Sequence, residues 1–168
     1  YAASTGACEP LQVVDANIQI TPPTAANQVG TNHTLTGHVN VDDGSGPANA
    51  PDGTVITFSI QNGPGGFVGP NSCTTAGGTG SCTVQITSTT TGTTVVNAAT
   101  TVTVGGVPLT RAAGDTHAGD SANANKTWEA ARISITPNAT NEVGQPHTFT
   151  VVLEKDTGTG TFVPATGE

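Results

Sequence analysis

Apolar and polar residues alternate in short runs along most of the chain, the period-two signature of strands that bury one face. In the run from Ala16 to Ile20, Ala16, Ile18 and Ile20 share a face, and Pro22-Pro23 ends the strand. From His33 to Val41, Leu35, Gly37, Val39 and Val41 share one face while Thr34, Thr36, His38 and Asn40 take the other, until Asp42-Asp43-Gly44-Ser45-Gly46 stops the run. Asp52-Gly53 makes a turn before a strand over Val55–Ile60 with Ile56, Phe58 and Ile60 inward, closed by Gly63-Pro64-Gly65-Gly66. Phe67-Val68 is a short fragment, and Ser81–Ser88 is a strand with Cys82, Val84 and Ile86 in register. Thr93–Val104 is long enough for a strand with a bulge, because Val95, Val96, Ala98, Val102 and Val104 do not keep one phase. About seven short strands with turn signals every 8–12 residues predict an all-β sandwich.

Composition agrees. Thr, Val and Ile dominate while good helix formers are scarce, and 34% of residues are hydrophobic, too many in too regular a pattern for a disordered chain. Four Lys+Arg against 12 Asp+Glu, a net charge of −8, cannot build the basic stripe that binds phosphate, which excludes nucleic acid as a partner. No stretch reaches the roughly 20 apolar residues that insert into a membrane as a helix. The chain opens Tyr1-Ala2-Ala3-Ser4 without a basic or apolar leader, so an export signal is expected to have been removed or to lie outside this segment.

The chain also repeats itself. Ala16-Asn-Ile-Gln-Ile-Thr-Pro returns as Ala131-Arg-Ile-Ser-Ile-Thr-Pro, an offset of 115. Asn27-Gln-Val-Gly-Thr-Asn-His-Thr-Leu-Thr returns as Asn141-Glu-Val-Gly-Gln-Pro-His-Thr-Phe-Thr at an offset of 114, and Asp42-x-Gly44-x-Gly46 returns as Asp156-x-Gly158-x-Gly160. A period of this size is that of one sandwich. The expected organisation is an N-terminal segment over 1–14, an Ig-like sandwich with a linker over 15–130, and the first strands of a second tandem sandwich over 131–168. That second copy would leave Ile133, Ile135, Phe149 and Val151 uncovered, so a longer protein or strand addition from another chain is expected to complete it.

Three segments carry a family resemblance: Ala50-Pro-Asp-Gly-Thr-Val-Ile-Thr-Phe-Ser-Ile, Thr74-Thr-Ala-Gly-Gly-Thr-Gly-Ser-Cys-Thr-Val-Gln-Ile-Thr-Ser and Gly92-Thr-Thr-Val-Val-Asn-Ala. They resemble the bacterial Ig-like (Big, invasin/intimin-type) domains, over residues 15 to 105 and again from 131. The resemblance implies tandem stalks on bacterial surface proteins and brings no catalytic residues with it. The cysteine pair departs from the commonest members.

Cys73 and Cys82 bracket a Gly-rich loop able to bring its ends together, so a disulfide is expected, and with it an extracellular or cell-surface location. Cys8 is left over, to pair elsewhere or stay free. His33 and His147 occupy equivalent places in the two copies and are expected to have packing roles; His38 points outward and His117 lies in a loop. A Ser/His/Asp set drawn from these lacks a strained nucleophile turn, so no enzyme activity is expected. The acidic turns Asp42, Asp43, Asp52, Asp115 and Asp120, with Glu129, supply the oxygen ligands that calcium prefers, and an ion at the junction would stiffen a rod. Polar neighbours around Lys126 and Lys155 argue against a buried Lys–Asn cross-link. Trp128, the single Trp, is a junction anchor or a glycan-stacking platform. Asn32, Asn125 and Asn138 head N-x-T triplets and are candidate glycosylation sites.

Together these features predict a structural stalk or fibre element whose partners are neighbouring Ig-like repeats. Two alternatives stand beside it. The chain could be a subunit of an extracellular filament, completed by identical subunits, or an adhesin module that binds a glycan or host receptor.

Overall fold

The computed structural model describes residues 12–166; Cys8 and most of the N-terminal segment lie outside them. In chain order the strands are β1 Asp15–Thr21, β2 Thr24–Gln28, β3 Asn32–Asp42, β4 Pro47–Asn49, β5 Val55–Asn62, β6 Gly66–Phe67 and β7 Ser72–Thr74. They continue as β8 Ser81–Thr87, β9 Gly92–Val104, β10 Val107–Ala112, β11 Ala124–Thr136, β12 Thr150–Asp156 and β13 Val163–Pro164. No helix among the described residues is long and apolar enough to cross a membrane.

The strands form two sheets. One has the order β1-β3-β8-β6 with β4 on β3; the other runs β13-β12-β11-β9-β5-β7, with β10 on β9 and β2 on β11. The chain thus folds as an all-β sandwich. Its core lies between the inner faces, where Ile18, Ile20, Leu35 and Val39 of the first sheet meet Ile56, Phe58, Val96 and Ala98 of the second, each at most 2% exposed. Gly37 sits under this contact because a Cβ there would come within 2.9 Å of Phe58 Cζ and 3.0 Å of Ile56 Cγ2.

The first copy of the repeat enters both sheets. β1 pairs antiparallel with β3, and after Pro22-Pro23 the chain crosses to the other sheet, where β2 runs parallel to β11. The free edge of β1 is capped by β10 and the loop before β11. Asp120 Oδ1 accepts the Ile18 amide at 2.5 Å, Ser121 Oγ accepts that of Ile20 at 3.0 Å, and Arg111 Nε donates to Ala16 O at 2.7 Å. Side chains on an edge strand's backbone groups leave no template for another chain.

One local expectation is overturned. β9 keeps one phase throughout, with Thr94, Val96, Ala98, Thr100, Val102 and Val104 inward and Val95 half-buried on the other side. The bulge falls instead on the partner strand, where the register against β9 shifts between Ile60 and Asn62. Two buried threonines, Thr94 and Thr100, interrupt the apolar phase of this strand, and each bonds a carbonyl in the core: Thr94 Oγ1 donates to Pro64 O, and Thr100 Oγ1 to Val55 O at 2.8 Å. Between the last strand read from the alternation and the second copy lie β10 and the first half of β11.

β11 runs on past the sandwich. Residues 124–128 pair with β9, and Ala130–Thr136 pair with β12. The β11–β12 register places Ala131 opposite Lys155 and Ile133 opposite Leu153, the offset counterparts of Ala16 opposite Val41 and Ile18 opposite Val39 in β1–β3. Asp42 Oδ1 accepts the amides of Gly44 and Gly46, and Asp156 Oδ1 accepts those of Gly158 and Gly160 in the same turn.

Candidate functional site

Three features concentrate where the first sandwich hands over to the second hairpin: the continuous strand β11, a polar contact at its crossing point, and a buried polar cluster beneath it.

The crossing contact is made by Asp156, buried at 1% exposure. Its Oδ2 accepts the Thr91 hydroxyl at 2.7 Å, and this bond, with the loop amides on Oδ1, holds the carboxyl below its ordinary pKa. Gly158 follows at φ +91, where a Cβ would lie 2.6 Å from Thr127 Cγ2, so the turn can approach β11 only as glycine. An open groove of about 500 Å³ beside this contact is lined by Gln28, Glu129, Ala131, Leu153 and Asp156.

Beneath β11 the inner face carries Lys126 and Trp128, both 0% exposed. Trp128 packs in the core and donates its indole N–H to Thr94 Oγ1 at 2.9 Å, so the ring is an anchor and offers no face for a sugar. Lys126 overturns the expectation of an exposed lysine. Its ammonium donates to the Pro22 carbonyl, and burial pushes its pKa down to about 8. Burial, and secondarily the charge of Lys126, also lowers the His33 pKa. Two atoms nearby are buried without a partner, Asn27 Oδ1 and His33 Nε2. In the second copy, His147 Nδ1 and Asn141 Oδ1, the offset counterparts of this pair, lie 2.9 Å apart.

The acidic residues expected to bind calcium serve as loop acceptors. Asp42 and Asp43 cap their own turn, with Asp43 held below its ordinary pKa by the Ser45 hydroxyl. Asp115 accepts the amides of Ala112 and His117, and the latter bond leads in lowering its pKa. Asp120 is buried, which raises its pKa, and its Oδ2 lies 3.8 Å from His117 Nδ1. Arg111 pairs with Asp15 at 2.8 Å and is the main cause of that carboxyl's lowered pKa. Among the described residues no three carboxylate, His or Cys groups gather as a metal site.

The remaining sites are dispersed. Cys73 and Cys82 are joined, their Cα atoms 5.8 Å apart, and the bond ties β7 of one sheet to β8 of the other. Closing such a short loop contributes about 2–3 kcal/mol in the chain-entropy picture. On the outer face of the first sheet, His38 Nε2 meets Asn40 Oδ1 at 3.0 Å and its Nδ1 meets Ser81 Oγ at 2.8 Å. An amide oxygen only accepts, so Nε2 is the donor to Asn40. Asn40 Nδ2 continues the row to Asn17 Oδ1 at 3.3 Å, bracing β1, β3 and β8. Asn32, Asn125 and Asn138 are all exposed.

No family model matches the chain, and no curated protein matches it. Among solved structures it is similar to the D00-D0 domain of intimin, at 21% sequence identity and a TM-score of 0.36. The alignment takes in 64% of this chain and 48% of that one, so the present chain spans about half the length of that structure.

Proposed function

We propose that the chain is a structural stalk or fibre element of a bacterial cell-surface or secreted protein assembled from Ig-like domains, working by mechanical spacing rather than by catalysis. The observation that carries this reading is β11, a single strand that closes one sandwich and opens the next hairpin in the register of β1–β3. Neighbouring units joined in this way share backbone where a flexible linker would otherwise lie. The disulfide suits an oxidising location outside the cytosol, and the acidic surface keeps adjacent rods apart. Electron microscopy of the native full-length protein tests the reading: beads in a row at regular spacing are expected, and an isolated globule would refute it.

One observation favours a second reading, the filament subunit. Ile133, Ile135, Phe149 and Val151 are 57–67% exposed on one hairpin, an apolar face of the kind that the first sandwich covers. Identical subunits would then complete one another. Sedimentation of the 168-residue chain should show concentration-dependent association that Ile135→Lys abolishes; a monomer at all concentrations would remove this reading. With Trp128 in the core, recognition of a glycan or host receptor has to rest on the exposed loops.

A further inference from the structure

Lys126 is surrounded by groups that do not satisfy it. It is fully buried, its ammonium has the Pro22 carbonyl as a partner, and the ionisable group that senses its charge is His33, which cannot neutralise it. Asn27 on the neighbouring strand and His33, which feels the lysine's charge, each carry a buried polar atom without a partner, Oδ1 and Nε2. A buried unpaired charge is among the most costly features a core can hold, and unpaired polar atoms add to that cost.

Strand register brings the amine and the carboxamide within reach. β2 and β11 are parallel neighbours with Asn27 opposite Trp128 and Lys126 opposite Ala25, so Asn27 and Lys126 lie two residues apart along adjacent strands. Both are on the inner side of the sheet, Lys126 buried and Asn27 half-buried. Strand spacing and rise put their Cα atoms about 8 Å apart. The four-carbon lysine stem and the asparagine side chain together span that distance.

We propose that Lys126 Nζ and Asn27 Cγ are joined by an intramolecular isopeptide bond, with His33 as the proton carrier for its formation. The neutral amine attacks the carboxamide carbon, the new C–N bond forms, and the bond to the asparagine nitrogen breaks. One proton passes from the lysine nitrogen, through His33, to the departing group, which leaves as ammonia. No oxidant or other reactant is consumed. A desolvated lysine is the form of the amine that acts as a nucleophile, and a histidine within reach is the usual proton carrier. The contact between His147 and Asn141 shows that the same loop in the second copy brings its imidazole onto its carboxamide. The product is a neutral amide in place of a buried cation.

The test is the intact mass of the full chain, denatured and reduced. The expected mass is lower than that of the sequence by one ammonia, and trypsin should fail to cut after Lys126, leaving the peptide that ends at Arg111 linked to the one that ends at Arg132. Asn27→Ala and Lys126→Arg should each restore the sequence mass. Should those variants not fold, the mass and digest of the unaltered chain decide alone. An unmodified mass overturns the proposal. So does an ammonia loss confined to Asn62-Gly63 with normal cleavage after Lys126, which is a succinimide. In His33→Gln the unlinked species should accumulate, and complete linkage in that variant overturns the role given to His33.

Discussion

The Thr91 hydroxyl donates to Asp156 Oδ2 at 2.7 Å, binding a loop of the first sandwich to the turn that follows β12. The same carboxylate organises its own turn through Gly158, Thr159 and Gly160, so one side chain serves both the turn and the crossing point. Asp156→Ala should loosen the crossing, and tryptic cleavage after Arg132 and Lys155 is expected to accelerate while the first sandwich remains folded. Because the folded pKa of Asp156 is lowered, its contribution is present above the ordinary aspartate pKa of 3.8 and disappears as pH falls through the lower folded value. Acid titration of the rate of pepsin digestion should show that loss in the native chain and not in Asp156→Ala.

Lys126 gives an opposite pH signature. A lysine whose folded pKa is depressed to about 8 favours the fold above its ordinary value of 10.5, and that support fades as pH falls toward 8. In Asn27→Ala, where the amine is free, stability to urea should rise between these two pH values by up to roughly 3 kcal/mol. In the native chain an amide-linked Lys126 does not titrate, and the rise should be absent.

Gly37→Ala should destabilise the sandwich by about 1–3 kcal/mol, since the added methyl meets Phe58 and Ile56 where neither can withdraw. Pairing it with Phe58→Leu should recover part of the loss. Urea unfolding of the single and double variants checks both statements, and additive losses would show that the two positions do not share space.

Thr94→Val should cost about 1–3 kcal/mol, because it leaves the Trp128 N–H and the Pro64 carbonyl without partners at a buried site. Trp128→Ala should cost about 3–5 kcal/mol through the cavity it opens. Trp128 is the single Trp, so its fluorescence follows the first sandwich directly in the Thr94 variant.

The strands that could be read from the sequence are those whose inward residues are aliphatic. β1, β3, β5 and β8 fall where alternation puts them, and the disulfide follows from two cysteines flanking a Gly-rich loop. The strands that escaped notice bury polar or small side chains. β2 turns Ala25 and Asn27 inward, and the first half of β11 buries Lys126, which no hydropathy pattern marks as core. The acceptor of Lys126, the Pro22 carbonyl, is 104 residues away in sequence, a relation visible only after β2 and β11 are paired. The roles of the acidic turns are not legible for a related reason: that Asp42, Asp43 and Asp115 accept the amides of their own loops is visible only in the hydrogen bonds.

The parallel pairing of β2 with β11 has a consequence for a chain held under tension. Once β1 has been drawn off β3, force acting at Thr24 and beyond Thr136 draws these two neighbours in opposite directions along their length, so the ladder from Asn125–Thr24 to Glu129–Gln28 is sheared as a block and not unzipped bond by bond. Resistance after that detachment resides in a patch five residues long at the exit of the domain.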